Sequence, residues 1–269
     1  MKEDSVTQRL RANSYQWRNI YNRPAKEVAK IIYEDKIDIL VDLSGHTAGN
    51  RLDVLAMKPA PIQITYLGYP NTTGLRTIDY LITDNIASPQ FSQQEFTEDV
   101  IQLPHCFLTY TPPGKLPDVA PVPLTKNNYV TFGSFSNLAK FSPDVLSLWA
   151  NILCSIPNSR LILKCKPFVT LKVRHKMFAF FSQRGVDASR VELLPLTATN
   201  YDHMATYGRI DIALDPFPYS GMTTTCEALI MGVPVLTMRG NSFAHNISMY
   251  IYFSFFFLKL FIIYLISYL

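Results

Sequence analysis

Apolar and polar positions follow two rhythms along this chain, and the rhythms take turns. Ala25 to Glu34 (AKEVAKIIYE) places Val28, Ile31 and Ile32 on one side at helical spacing. Asp35-Lys36 breaks that helix, and Ile37 to Leu43 (IDILVDL) reads as a strand. Arg51 to Met57 is a short helix stopped by Pro59 and Pro61, and Ile62 to Gly68, Tyr80 to Thr83 and Val100 to Leu103 are extended. Thr111 to Lys126 carries Pro112, Pro113, Pro117, Pro121 and Pro123 with no period, the composition of a linker. Beyond it the alternation resumes. Tyr129–Gly133, Arg160–Lys164, Val191–Leu194, Ile210–Leu214 and Pro234–Met238 are strands. Helices Asp144–Cys154, Leu171–Arg184 and Tyr201–Tyr207, and one beginning at the threonines Thr223, Thr224 and Thr225, separate them. Pro143 opens the first of these helices, with Val145, Leu148, Trp149 and Ile152 inward. Alternating strands and helices in both halves predict parallel sheets in doubly wound domains.

Arg209 to Gly240 (RIDIALDPFPYSGMTTTCEALIMGVPVLTMRG) concentrates the chemistry. A strand ends at Asp215, a Pro/Gly turn follows, and hydroxyls cluster where a helix begins. Free N–H groups and the positive end of the helix dipole favour an anion there, by about 0.3–1 kcal/mol per charge. Hydroxyls and backbone amides without a P-loop lysine signature suit the diphosphate of a nucleotide-sugar. The alternative is that Thr223 is an N-cap and Glu227 an acid that complements the dipole.

In doubly wound sheets ligands sit beyond the carboxyl ends of strands. That rule selects five small, polar loops: Ser44–Thr47, Gly68–Gly74, Ser134–Lys140, Pro195–Asn200 with His203, and the threonine loop. Lys140 is the cation suited to a departing phosphate, or else a solvated lysine before a helix. His46 is a candidate general base or acceptor holder, or else a histidine bonding loop backbone. His203 could stack on a base or bond a ribose, or lie half-exposed at a helix start. Asp215 is expected to bond the turn amides.

The chain has 269 residues, enough for two domains with cores of their own. At 48% hydrophobic and 13% aromatic it is globular rather than disordered. A net charge of +4, from 25 basic and 21 acidic residues, is too small to argue for nucleic acid. Cys106, Cys154, Cys165 and Cys226 show no metal spacing, so free thiols and no metal site are expected. Met1 to Leu10 is polar, unlike a signal peptide. Ser248 to Leu269 is different: Lys259 is its single charge, and it is long enough to cross a bilayer.

With these residues laid out, the chain resembles the catalytic region of the cytosolic protein O-glycosyltransferases, the family of the O-GlcNAc transferases and the plant SPINDLY proteins. The strings that carry the resemblance are DILVDLSGHTAGNRLDVLAMKPAPIQITYLGYPNTTG, IDYLITD, YVTFGSFSNLAKFSP, WANILCSIPNSRLILKCKPF and DHMATYGRIDIALDPFPYSGMTTTCEALIMGVPVLTM, across Asp35 to Asn246. GHTAGN, NLAK, KCKPF and TTTCE are most similar to the SPINDLY branch.

The resemblance implies an α/β, GT-B-like architecture of two Rossmann-like doubly wound lobes, both incomplete. It places a partial N-terminal lobe at 1–110, a linker at 111–126, a partial nucleotide-sugar-binding lobe at 127–247 and an aberrant apolar tail at 248–269. The tail is read as a gene-model artefact, with a membrane segment as the alternative. The resemblance further implies transfer of GlcNAc or fucose, with inversion and without metal or other cofactor, from UDP-GlcNAc or GDP-fucose to Ser and Thr of cytoplasmic and nuclear proteins. By position, Lys140 stabilises the diphosphate with Asn137 beside it, and Thr223 and Thr224 bind phosphate. Thr225 stands with them, Glu227 holds the ribose and His203 lies beside the base; His46 and Lys140 are the catalytic candidates. The basic residues that the O-GlcNAc enzymes carry three before and three after that histidine are here Asn200 and Thr206, and Met222 replaces a histidine, so the donor may differ. Two other readings stand beside this one. One is a non-catalytic remnant that binds nucleotide or partner proteins. The other is a two-lobed nucleotide-sugar epimerase, for which Asp42 and Asp53 are the available carboxylates.

Overall fold

A computed structural model describes residues 3–89, 94–112 and 114–256, with side chains described as far as Met249. The chain divides into two compact units, Met1–Ile82 with Glu95–Ile101, and Thr83–Gln94 with Gln102–Leu269. The ranges of the two units interleave along the chain.

The first unit holds helices α1 (Ser5–Ala12), α2 (Ala25–Glu34) and α3 (Leu52–Leu55) and a sheet in the order β1-β2-β3-β4. Its strands are β1 (Ile39–Asp42), β2 (Ile62–Tyr66), β3 (Tyr80–Asp84) and β4 (Asp99–Leu103), the last two continuing into the second unit's residues. β1 pairs parallel with β2 from Ile39↔Ile62, and β2 parallel with β3 from Ile64↔Tyr80. The apolar stripe of α2 buries Val28 and Ala29 against Val54 of α3. The sequence pattern had not indicated α1, which buries no residue.

The second unit is built on a five-stranded, wholly parallel sheet in the order β7-β6-β5-β8-β9. Its strands are β5 (Thr131–Ser134), β6 (Arg160–Lys164), β7 (Val191–Leu194), β8 (Ile212–Leu214) and β9 (Val235–Leu236). All four residues of central β5 are buried, as a strand covered on both faces requires. Helices α4 (Leu124–Asn127), α5 (Pro143–Ser155), α6 (Leu171–Ser182), α7 (Asn200–Thr206), α8 (Thr223–Ile230) and α9 (Phe243–Phe256) connect and cover the strands. α5 starts as its sequence dictates: the Ser142 hydroxyl accepts from the Val145 amide, and Pro143 occupies the first turn. Its inner face places Trp149, 2% exposed, against Phe141, Phe168, Phe181 and Leu163 in the main core. Burying each such side chain contributes roughly 1.5–3 kcal/mol. Gly232 ends α8 at φ 74°, a left-handed conformation open to glycine at little cost.

Two segments differ from expectation. The proline-rich stretch ends in the one-turn helix α4, because the Asp211 carboxylate accepts from the amides of Leu124 and Thr131, at 2.7 Å each. The apolar tail was expected to start at Ser248, yet α9 runs across that position, with Ile247, Ser248 and Met249 all buried. Among the described residues no helix is long and apolar enough to cross a membrane. Residues 257–269, the remainder of the expected tail, lie outside the described residues.

Candidate active site

β8 delivers the chain into Asp215, and the turn that follows is closed by that carboxylate. Its Oδ1 accepts from the Gly221 amide at 2.6 Å and its Oδ2 from the Thr237 hydroxyl at 2.7 Å. Burial raises the Asp215 pKa, and these hydrogen bonds and the charge of Lys140 only partly offset it. The expectation that Asp215 binds turn amides is met at Gly221.

α8 begins without a side-chain cap. Its N-cap position is Met222, at φ −127° and ψ −79°, and among the described residues no side-chain cap bonds the first turn. Thr223 is therefore the first helical residue rather than the cap, and the helix mouth is left to an external acceptor. Thr223 is exposed, Thr224 half-buried and Thr225 buried. The three hydroxyls are not equivalent. The Ser248 hydroxyl donates to the Gly221 carbonyl oxygen at 2.8 Å, so Thr225 must be the donor in its 2.8 Å bond to Ser248. Thr225 thus ties α8 to α9, and Thr223 and Thr224 stand nearer solvent. Gly221 shapes the floor: a Cβ there would lie 2.6 Å from Thr225 Oγ1, 2.7 Å from Thr224 Oγ1 and 3.0 Å from Asp215 Oδ1. Beside the threonines a cavity of about 20 Å³ is lined by Ser134, Tyr207, Asp215, Thr224 and Thr225, and the buried Ser134 hydroxyl has no hydrogen-bond partner among the described residues.

Lys140 reaches this mouth from the loop after β5. It ends a 3-10 turn, Leu138–Lys140, which Asn137 caps by accepting from the Ala139 amide at 3.0 Å. Lys140 Nζ donates to the Ser220 carbonyl oxygen at 2.7 Å and lies 4.2 Å above the Tyr219 ring. Burial pushes its pKa down to about 8, against the opposing charge of Asp215. The lysine therefore faces the turn that opens α8, the side expected of it. Asn137 is exposed beside it, holding its own turn.

His203 and Glu227 form the other wall. His203 Nε2 lies 2.9 Å from Glu227 Oε2, which also accepts from the Tyr207 hydroxyl at 3.0 Å. On the far side of the ring, Nδ1 is 2.5 Å from Lys164 Nζ. Phe135 packs against Tyr207 at 4.6 Å between ring centroids. Burial raises the Tyr207 hydroxyl pKa well above its ordinary value, reinforced by the Glu227 charge.

In the first unit the loops after β1 and β2 meet each other. His46 Nε2 lies 2.8 Å from the Thr73 carbonyl oxygen, and the His46 ring stands edge-on to Tyr69 at 5.3 Å. A carbonyl only accepts, so Nε2 carries a hydrogen. The neighbouring Thr72 and Thr73 are gripped by Glu98, 5% exposed: Thr72 Oγ1 donates at 2.6 Å and the Thr73 amide at 2.8 Å. His46 thus bonds loop backbone, one of its two expected roles, and its Nδ1 has no hydrogen-bond partner among the described residues.

The structure gathers Lys140, Asn137, Thr223, Thr224, Thr225, His203 and Glu227 within the second unit, in the loops and helices that follow the carboxyl ends of β5, β7 and β8. It adds residues that sequence reasoning passed over. Lys164 had been read as a strand end, and Tyr207 as the last apolar residue of a helix; the signal for both was their place at or beyond a carboxyl end. A cavity of about 720 Å³ lies at the opposite, amino ends of the strands, lined by Thr131, Arg160, Val191 and Arg209 among others, and no candidate residue borders it. Among the described residues no three His, Cys, Asp or Glu side chains are arranged to hold a metal ion, and the four cysteines form no disulfide.

The parallel strands and the helices that cover them make a mixed α/β fold. Residues 18–111 and 123–257 match the model of glycosyl transferase family 41, and the chain belongs to that family. The match continues through the whole of α9, past the position at which the tail was expected to begin. A relative from Eustoma exaltatum subsp. russellianum, named a probable UDP-N-acetylglucosamine–peptide N-acetylglucosaminyltransferase SPINDLY, is 53% identical over 251 residues, 92% of this chain and 27% of its own length. The protein of the same name from Arabidopsis thaliana is 51% identical over 92% of this chain and 28% of its own. Among solved structures, an O-GlcNAc transferase mutant from Thermobaculum terrenum superposes with a TM-score of 0.88 at 40% identity, covering 93% of this chain and 47% of that one. The chain therefore spans little more than a quarter of the length of these curated relatives.

Proposed function

We propose that this chain is the donor-binding and part of the acceptor-binding region of a protein O-glycosyltransferase, with two Rossmann-like lobes of the GT-B kind. The reaction moves a sugar from a nucleotide-sugar to a Ser or Thr hydroxyl of a cytoplasmic or nuclear protein. The observation that carries this reading is the Lys140 ammonium held on the turn that opens α8, the helix whose first turn carries Thr223 and Thr224. In the transfer, the acceptor oxygen forms a bond to the anomeric carbon as the bond from that carbon to the diphosphate breaks. Negative charge then builds on the departing diphosphate, where one ammonium, two hydroxyls and the α8 amides stabilise it. Asn137 stands beside that diphosphate, while Glu227 takes the ribose and His203 the base. Within the first unit, His46 offers Nδ1 as a proton acceptor, with the Thr73 carbonyl steadying the ring through Nε2. The charge stabilisation assigned to these groups needs no metal ion.

The relatives' names support UDP-GlcNAc as donor, and Asn200 and Thr206 in place of basic residues support testing GDP-fucose beside it. Calorimetry of the chain with UDP-GlcNAc, GDP-fucose, UDP and GDP tests the reading. Binding of one nucleotide family at micromolar concentration is the expected result, and binding of neither defeats it. Binding without sugar transfer to a Ser/Thr peptide would favour the non-catalytic alternative.

A further inference from the structure

Lys164 has no part in the proposed transfer, and its setting is unusual for a lysine. It ends β6 and is 2% exposed, so its charge lies inside the unit. Lysine is almost never buried so fully unless paired. Its Nζ sits 2.5 Å from His203 Nδ1 and 5.8 Å from the centroid of the Phe135 ring. Through the imidazole it leads to Glu227 Oε2, itself 7% exposed as a residue and shared with the Tyr207 hydroxyl. Neither Asn200 nor Thr206, three residues either side of His203, brings a charge.

The protons can be assigned from chemistry. Glu227 as carboxylate only accepts, so His203 Nε2 carries a hydrogen. An ammonium only donates, so Nδ1 offers its lone pair to Lys164, and His203 is the neutral Nε2–H tautomer. Burial lowers the lysine's hold on its proton, and the charge of Glu227 strengthens it. One positive and one negative charge thus face each other across a neutral ring. Without the lysine, Glu227 would be a buried carboxylate with no countercharge in this chain of bonds, a costly arrangement. His203 would also be free to place its hydrogen on Nδ1 and break the bond to Glu227.

We propose that Lys164 is a positioning residue of the donor site: it pins His203 as an Nε2–H donor and balances Glu227, fixing the ring and the carboxylate that meet the nucleoside end of the donor. This rests on the donor-site reading above, and the two can be told apart. The test uses the whole chain, with imidazole nitrogens labelled. In the free wild-type chain the NMR signals of His203 should show Nε2 protonated and Nδ1 bare. In Lys164→Met the tautomers should mix, and affinity for GDP or UDP, whichever the wild type binds, should fall about tenfold or more. Lys164→Gln, whose amide can donate to Nδ1, should recover the tautomer and part of the affinity.

A bare Nε2 in the wild type overturns the proposal even if the variants fail to fold. So does a Met variant that keeps both the tautomer and an affinity within twofold of wild type. If the wild type binds neither nucleotide, the donor-site reading falls and takes the proposal with it. That case is recognised by a His203 tautomer that still responds to Lys164→Met.

Discussion

Lys140 Nζ donates to the carbonyl oxygen of Ser220 at 2.7 Å, and this one bond joins the loop after β5 to the turn that opens α8. An ammonium has three donors, so two remain for phosphate oxygens at the helix mouth. Lys140→Ala should weaken GDP or UDP binding about ten- to a hundredfold, since a hydrogen bond to a charged group is worth roughly 1.5–3 kcal/mol. Calorimetry at fixed ionic strength measures this, and an unchanged Kd would remove Lys140 from the site.

The same lysine sets a pH dependence. Burial brings its pKa to about 8 in the free chain. A diphosphate alongside favours the charged form, so above that pH binding must draw a proton onto Lys140. Affinity should then fall as pH rises from about 8, by up to about tenfold per unit, and the fall should be absent in Lys140→Arg. The effect on stability has the opposite sign. An unfolded lysine titrates near 10.5, so between about 8 and 10.5 the unfolded chain holds more protons and the free fold gains stability from this group. Melting temperatures of wild type and Lys140→Met across that window should diverge in that direction.

Gly221 is where backbone and hydroxyls approach most closely. Because an added Cβ would come within 3.0 Å of Asp215 and nearer still to Thr224 and Thr225, Gly221→Ala must displace short, poorly adaptable side chains. The expected cost is about 1–3 kcal/mol of stability, with loss of nucleotide binding out of proportion to it. Denaturant titration and calorimetry on the same preparation separate the two effects, and binding that survives intact would show that the floor of the site lies elsewhere.

How much of this was legible beforehand depended on how local the cause was. Strands β5 to β9 and helices α5 to α8 declare themselves by period, by Pro143 and by Gly232, all local signals. The rule of carboxyl-end loops found Lys140, His203 and Glu227 because it needs only strand ends. Lys164 escaped, because its partner is 39 residues away and a lysine closing a strand reads as a solvated end. Thr225 looked like its two neighbours, since only the fold brings Ser248 against it. α9 was hidden for a related reason: an apolar run without polar alternation carries no helical stripe, so a membrane segment and a buried helix read alike.

Ser248 gives that last point a test. Its hydroxyl bridges Thr225 and the Gly221 carbonyl, from a helix whose start is buried. If α9 is part of this fold, Ser248→Ala should cost about 1 kcal/mol and lower Tm by about 2–4 °C, with a smaller effect on nucleotide affinity. A variant indistinguishable from wild type in thermal unfolding would mean that α9 does not pack there in solution.

The first unit offers a prediction of its own at Glu98. Burial alone would raise the carboxyl, but hydrogen bonds from Thr72 and Thr73 outweigh it and leave the pKa below the ordinary value of 4.5. A depressed pKa means stability that is fully present above about 4.5 and lost as pH falls through the folded value. Glu98→Gln should therefore cost about 1–3 kcal/mol near neutrality, and the difference from wild type should shrink below pH 4.5. The loop it holds supplies the Thr73 carbonyl that fixes His46, so the same variant should loosen the His46 Nε2 bond and let its hydrogen exchange faster with solvent. Acid titration of stability and NMR of the His46 ring test the two halves together. Loss of stability without any change at His46 would leave Glu98 as a clamp on the loop alone, with the imidazole held by Tyr69.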